Sequence, residues 1–176
     1  LAQNLIFNTC AKVIKDIHQI LTSPDFVARH RQHQKDFTRQ RKLPFHFLIV
    51  FLVNFVRGSY QDELDGFFKT ICRFDVAKRM VSKAALAKAR MKIKFQAFVE
   101  LNVHLVSLFE KHFTPRMWFG FRLLAIDGST VRLPMTDAIA RHFGVCNGRQ
   151  GAPSPMACVS QLFDVLNKIS VDASIK

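Results

Sequence analysis

The chain has 176 residues, with 26 Lys+Arg against 13 Asp+Glu, a formal charge of +13 and 49% apolar residues, 18 of the chain's residues being Phe. That length and apolar content exclude a disordered tail and supply a sizeable core, so the excess of base belongs to a folded chain and points to an anionic partner. The longest apolar run, residues 43–56, is interrupted by His46 and Asn54; it is shorter than the ~20 residues of a bilayer crossing and reads as a buried helix.

In chain order, the apolar residues Leu5, Ile6, Val13, Ile14, Ile17 and Leu21 mark one face of an amphipathic helix that Ser23-Pro24-Asp25 ends. Residues 29–42 form a basic face or arm, with Arg29, Arg31, Lys35, Arg39, Arg41 and Lys42 against the single acid Asp36. Pro44 suits the first turn of a helix whose core residues are Phe47, Leu48, Phe51, Leu52 and Phe55, closed by Arg57-Gly58-Ser59. Ser59 with Asp62 and Glu63 predicts a further helix start, with Leu64, Phe67, Phe68 and Ile71 inside and an end near Arg73. One long helix is then predicted from near Ser82 through Leu86, Ile93, Ala97, Leu101, Leu105 and Leu108. Its first part is acid-free: residues 78–94 hold Lys78, Arg79, Lys83, Lys88, Arg90, Lys92 and Lys94.

After Pro115 the period changes. Residues 121–127, ended by Gly128 and followed by alternating Val131, Arg132 and Leu133, read as one bent strand. Asn147-Gly148 and Gly151-Ala-Pro153 mark a loop, and residues 157–165 and 169–175 read as two strands joined at Asn167-Lys168. The expected fold is α+β, a helical region over 1–115 and an antiparallel three-stranded meander over 116–176. Such a meander leaves an edge and a face to cover.

The cysteines Cys10, Cys72, Cys146 and Cys158 are widely spaced without C-x-x-C, which indicates no disulfide framework or zinc ribbon and fits a reducing cytosol. His142, Cys146 and Cys158 match no closed zinc spacing and read as ordinary residues. The chain opens on Leu1, has its first methionine at Met80 and stops at Ile175-Lys176 inside a predicted strand, as expected of a piece cut from a longer frame.

Seven like charges on one stretch repel one another unless an anion neutralises them, and phosphate backbones are the commonest such partner; the alternative is a solvated face. Binding of this kind is sequence-tolerant, since no residues for reading bases stand out. Asp127 is the second candidate. A carboxylate at a strand end beside Gly128 suits a divalent cation, although Asp-Gly after a strand is also a common turn.

The string Leu124-Ala-Ile-Asp-Gly-Ser-Thr-Val-Arg-Leu-Pro134, then Phe143-Gly144, Leu162-Phe-Asp-Val-Leu-Asn167 and Val171-Asp-Ala-Ser174, resembles the opening of the catalytic domain of insertion-sequence-4-like transposases. Phe37-Thr-Arg-Gln-Arg-Lys-Leu-Pro-Phe45, Glu63-Leu-Asp-Gly-Phe-Phe68 and Val81-Ser-Lys-Ala-Ala-Leu-Ala-Lys-Ala-Arg90 resemble the amino-terminal region of the same family, in the same order. The resemblance implies a ribonuclease-H-like domain in which an Asp, Asp, Glu set holds two divalent metals, Mg²⁺ or Mn²⁺, for cleavage and strand transfer of transposon-end DNA. It makes Asp127 the first catalytic, metal-binding Asp and Ser129, Thr130 and Arg132 its neighbours near DNA. The family's second Asp and its Glu are expected beyond Lys176; Asp164 and Asp172 are not their equivalents, and the alternative that Asp137, Asp164 and Asp172 replace them is disfavoured because alternation fixes a strand residue's facing.

The expectation is therefore the amino-terminal portion of a cut-and-paste DNA transposase, with the first three strands of an incomplete ribonuclease-H-like domain and no transposition activity alone. The expected DNA contacts are Lys83, Lys88, Arg90, Lys92 and Lys94, with Arg39, Arg41, Lys42 and Arg132. Self-association or pairing with full-length transposase is expected, with no membrane partner and a bacterial cytoplasmic, nucleoid-associated location. The alternatives are a non-enzymatic DNA-binding or transposase-inhibiting fragment, and a gene remnant of limited stability.

Overall fold

A computed structural model describes residues 2–54, 58–147 and 152–176, with side chains from Phe7 onward. The predicted roles of Leu5, Ile6, Phe55, Arg57, Gly148 and Gly151 lie outside the described residues or side chains. The architecture is α+β, seven helices and a three-stranded antiparallel sheet among the described residues. Two compact units divide the chain, Leu1–Leu101 and Asn102–Lys176. They meet inside a helix, earlier than the boundary predicted between 115 and 116.

In the first unit, serines set the helix starts. Helix α1 spans Ala2–Thr22. Ser23 then accepts the Phe26 N–H at 3.2 Å and opens α2, Pro24–His30, with Pro24 in its first turn. The sequence shows Ser23-Pro24-Asp25 equally well as a stop and a start. Helix α3, Phe45–Val53, is apolar almost all round and is correspondingly central. Its Leu48 and Phe51 join Leu43, Leu64, Phe68, Val81 and Leu86 in one cluster, while Phe45 and Ile49 join Leu21, Phe26 and Ala97 in another.

Helix α4, Tyr60–Cys72, starts where predicted: Ser59 accepts the Asp62 N–H at 3.3 Å, and Asp62 and Glu63 stand in the positive first turn. Gln61 of α4 accepts the Lys83 N–H at 2.9 Å and donates to the Val81 carbonyl at 3.0 Å. This fixes the entry of α5, Lys83–Arg90, whose cap Ser82 accepts the Ala85 N–H at 3.2 Å.

The single long helix predicted from Ser82 to Leu108 is two helices, α5 and α6, the latter Gln96–His112. Between them the backbone bonds elsewhere. Gln32 N–H donates to the Lys92 carbonyl and Lys94 N–H to the His30 carbonyl, both at 2.8 Å, around an antiparallel bridge of Arg31 with Ile93. Ile93 still reaches the core, packing against both clusters, so the apolar spacing survives while helical continuity does not.

In the second unit, β1 (Leu124–Arg132), β2 (Met156–Asp164) and β3 (Ile169–Ile175) form the predicted meander in the order β1-β2-β3. Asp127 pairs with Gln161, which pairs with Ala173. A register shift leaves Val171 out of the ladder, and its carbonyl accepts from the Asn102 side chain at 3.0 Å. Between β1 and β2 stands an unforeseen helix α7, Asp137–Phe143, capped by Thr136 and ended by Gly144 at φ 75°. Among the described residues of this unit only Ser154, Pro155, Ala157 and Asp164 are buried, and β1 is exposed throughout.

Candidate nucleic-acid interface

Within the basic arm of residues 29–42 and just after it, the chain is pinned at three points. Asp36, 3% exposed, accepts the His33 N–H at 3.1 Å and pairs with Lys92 Nζ at 3.2 Å. Phe37 takes a left-handed backbone, φ 58°, and sets its ring edge-on to Phe45 at 5.2 Å. Leu43 enters the core. Between the pins, Thr38, Arg39, Gln40, Arg41 and Lys42 are exposed.

Opposite the arm stands one face of α5 and its continuation. Ala85, Lys88, Ala89 and Lys92 recur at the three- and four-residue spacing that shares a helical face, and the two alanines leave room between the lysines. Arm and face together line a cavity of about 830 Å³ whose apolar lining includes Leu43, Pro44 and Val81. Among the described residues its lining carries Lys35, Arg39, Arg41, Lys42, Lys88 and Lys92, with Asp36 as the single acid. Burial pushes the Asp36 carboxyl upward, but the hydrogen bonds from Lys92 and from the His33 N–H, with the Lys92 charge, hold it below its ordinary value. It remains an anion facing Lys92.

Of the predicted DNA contacts, the cavity unites Arg39, Arg41, Lys42, Lys88 and Lys92. Lys83, Arg90 and Lys94 lie outside it. Arg90 is two residues from Lys88, about 200° round the helix. Lys94 Nζ donates to the Arg29 carbonyl at 3.1 Å. Arg132 belongs to β1 in the other unit. Lys35 lines the cavity although the sequence placed it only in the basic arm.

Arg29, the first charge of that arm, is engaged inside the unit. It donates to Glu100 at 2.6 Å, and His30 Nε2 lies 2.7 Å from the other Glu100 oxygen. The Arg29 hydrogen bond leads in holding Glu100 down at about 2; burial opposes it and His30 assists.

Asp127 sits midway along β1, exposed, one oxygen accepting the Gly128 N–H at 2.8 Å. Strand alternation and an unbroken β1–β2 register put Asp127 and Ser129 on one sheet face with Gln161, and Thr130 and Arg132 on the other. Thr130 and Arg132 are thus separated from the carboxylate they were expected to neighbour. Asp164 and Asp172 also face away from Asp127.

Asp164 has a structural task. Fully buried, it accepts from Arg122 Nε at 2.5 Å, from the Asn167 N–H at 3.0 Å and from the Asn167 side chain at 2.8 Å. Arg122 also donates to Glu110 at 2.6 Å, and Asn167 bonds both backbone groups of Arg116. Burial drives the Asp164 carboxyl upward, yet Arg122 and Asn167 together keep it below its ordinary value. Asp137 is exposed in the first turn of α7, and Cys146 and Cys158 are free thiols.

Among the described residues no three His, Cys, Asp or Glu side chains group so as to hold a metal ion. A two-metal carboxylate site is not fitted by these residues, since Asp127 brings one carboxylate and the other strand acids face away. No helix among the described residues is long and apolar enough to cross a membrane. Compared with known proteins, the chain matches no family model, no curated protein and no solved structure.

Proposed function

We propose that this chain binds DNA through the cationic cavity of its first unit, as the helical amino-terminal part of an insertion-sequence-4-like cut-and-paste transposase. One observation carries the reading: two basic segments separated by some forty residues of other sequence converge on a single cavity bearing six cations and one acid. A surface of this composition attracts a phosphate backbone through charge, independent of base sequence. Transposon ends are then the proposed DNA, a second copy or the full-length enzyme the proposed protein partner, and the bacterial nucleoid the proposed location.

The antiparallel β1-β2-β3 meander supports the finer proposal of a ribonuclease-H-like opening, with Asp127 as first metal ligand of the transposase. Mg²⁺- or Mn²⁺-dependent cleavage belongs in this proposal only to an assembly that brings further carboxylates to the Asp127 face. The second reading, a DNA-binding fragment without cleavage, is favoured by Asp164 and Asp172 facing away from Asp127.

Fluorescence anisotropy with a duplex of transposon-end length tests the first reading. Binding should weaken steeply between about 50 and 200 mM salt, and joint neutralisation of Arg39, Arg41, Lys42 and Lys88 should flatten that dependence. A salt slope unmoved by the four changes would defeat it. Nicking of supercoiled DNA by the unaltered chain with Mg²⁺ or Mn²⁺, lost in Asp127→Asn, would overturn the second reading and give cleavage to this chain without any further carboxylate.

A further inference from the structure

We infer that Asp36 is a positioning residue of the cationic cavity, holding the arm against α5 through Lys92 so that Arg39, Arg41, Lys42 and Lys88 are the phosphate contacts and Lys92 is not. The inference rests on the DNA-binding reading. Charge alone says the opposite, because an acid in an anion-binding site opposes binding and its removal adds one positive charge.

The geometry favours position over charge. Asp36 is 3% exposed and its carboxylate serves two partners, Lys92 Nζ at 3.2 Å on a partly exposed side chain and the His33 N–H at 3.1 Å. Lys92 ties the same arm a second time, its carbonyl accepting the Gln32 N–H at 2.8 Å. Side chain and main chain of one residue thus fasten the arm where it passes α5. Just beyond, Phe37 turns the chain through a left-handed conformation that a non-glycine residue holds only when its surroundings enforce it. The next residues, 38–42, are exposed, so their direction is set by what precedes them and by Leu43. Among the described residues none of Arg39, Arg41, Lys42 and Lys88 pairs with a carboxylate, whereas Lys92 does.

The test measures duplex affinity across salt for the whole chain and for Asp36→Asn, Lys92→Met and Arg41→Gln. Asp36→Asn should bind about tenfold more weakly despite its extra positive charge. Lys92→Met should also bind more weakly with the salt slope unchanged, while Arg41→Gln should lower the slope by about 1. A simple loss of stability moves affinity without sorting lysine from arginine in the slope. Tighter or equal binding by Asp36→Asn overturns the inference, as does a slope reduced equally by Lys92→Met and Arg41→Gln. Should Asp36→Asn fail to fold, Lys92→Met against Arg41→Gln decides by the same slope criterion. No binding by the unaltered chain removes the DNA reading and this inference with it; tighter binding by Asp36→Asn removes the inference alone.

Discussion

In the unit Leu1–Leu101, Phe26, Leu48, Ile49, Leu64 and Phe68 are almost wholly buried, whereas in Asn102–Lys176 the described buried residues are Ser154, Pro155, Ala157 and Asp164. The first unit draws its order from apolar burial, the largest favourable contribution available to a chain in water. The second draws it from strand ladders and from the Asp164–Arg122–Asn167 network, while Phe119, Phe121 and Ile126 remain exposed. The cationic cavity lies in the unit with the apolar core, whose packing holds Phe37, Leu43 and Leu86 and so holds both cavity walls. The carboxylate that would bind metal lies in the unit with the open sheet.

The largest expected effect is therefore in the first unit. Phe68→Ala empties a site that is 2% exposed in the α3–α4 cluster and should cost about 4 kcal/mol. Far-ultraviolet circular dichroism should show the helical transition at a much lower temperature. A shift of only a few degrees would contradict a core centred there.

Asp164→Ala comes next, at about 3 kcal/mol, because it strips a buried anion from Arg122 and removes the acceptor that orders Asn167. Arg122 keeps Glu110 as a partner, which places the cost at the lower end of such breaks. Faster amide exchange confined to β2 and β3, with the first unit unaltered, is the expected result; equal acceleration in both units would erase the contrast between them.

A smaller effect concerns acid. Arg29 and His30 hold Glu100 at about 2, below its ordinary 4.5. A lowered carboxylate contributes stability that is fully present above its ordinary value and lost as pH falls toward the folded one. The first unit should lose stability between about pH 4.5 and 2, and Glu100→Gln should make its melting temperature less dependent on pH across that window. An identical pH profile in the variant would remove Glu100 as a cause.

How far the sequence disclosed this arrangement depends on whether the cause was local. The starts at Ser59 and Ser82 and the meander were legible, because capping needs a serine within three residues of its N–H and a strand needs only alternation; Ser23-Pro24-Asp25 reads as a helix end, although Ser23 also caps α2. The break between α5 and α6 was not, since its cause is the backbone of residues 30–32, some sixty positions away. Helix α7 is bounded by local signals, the cap Thr136 before Asp137 and Gly144 after Phe143, but its seven residues are too short for a helical period to stand out. Each basic segment was visible, but their convergence is a product of packing by Phe37, Leu43, Leu86 and Ile93. Asp36 looked like one acid in a solvated run, and nothing in its neighbours announced that it was buried. Asp127 was legible as a strand residue, and alternation alone already separated it from Thr130 and Arg132.

The smallest effect should come from Ile126→Ser. This isoleucine lies on β1, 79% exposed, and its cross-strand neighbour is Leu162. With so little area removed from water, the replacement should change stability by no more than about 0.5 kcal/mol, the range of ordinary surface substitutions. The comparison with Phe68→Ala is then sharp: two large apolar residues, one in each unit, differing several-fold in what their loss costs. A cost above about 1 kcal/mol for Ile126→Ser would mean that this sheet face is covered in solution. Melting the unaltered chain over a range of concentrations would identify the cover, because a face buried by self-association makes the transition rise with protein concentration and a face open to water leaves it fixed.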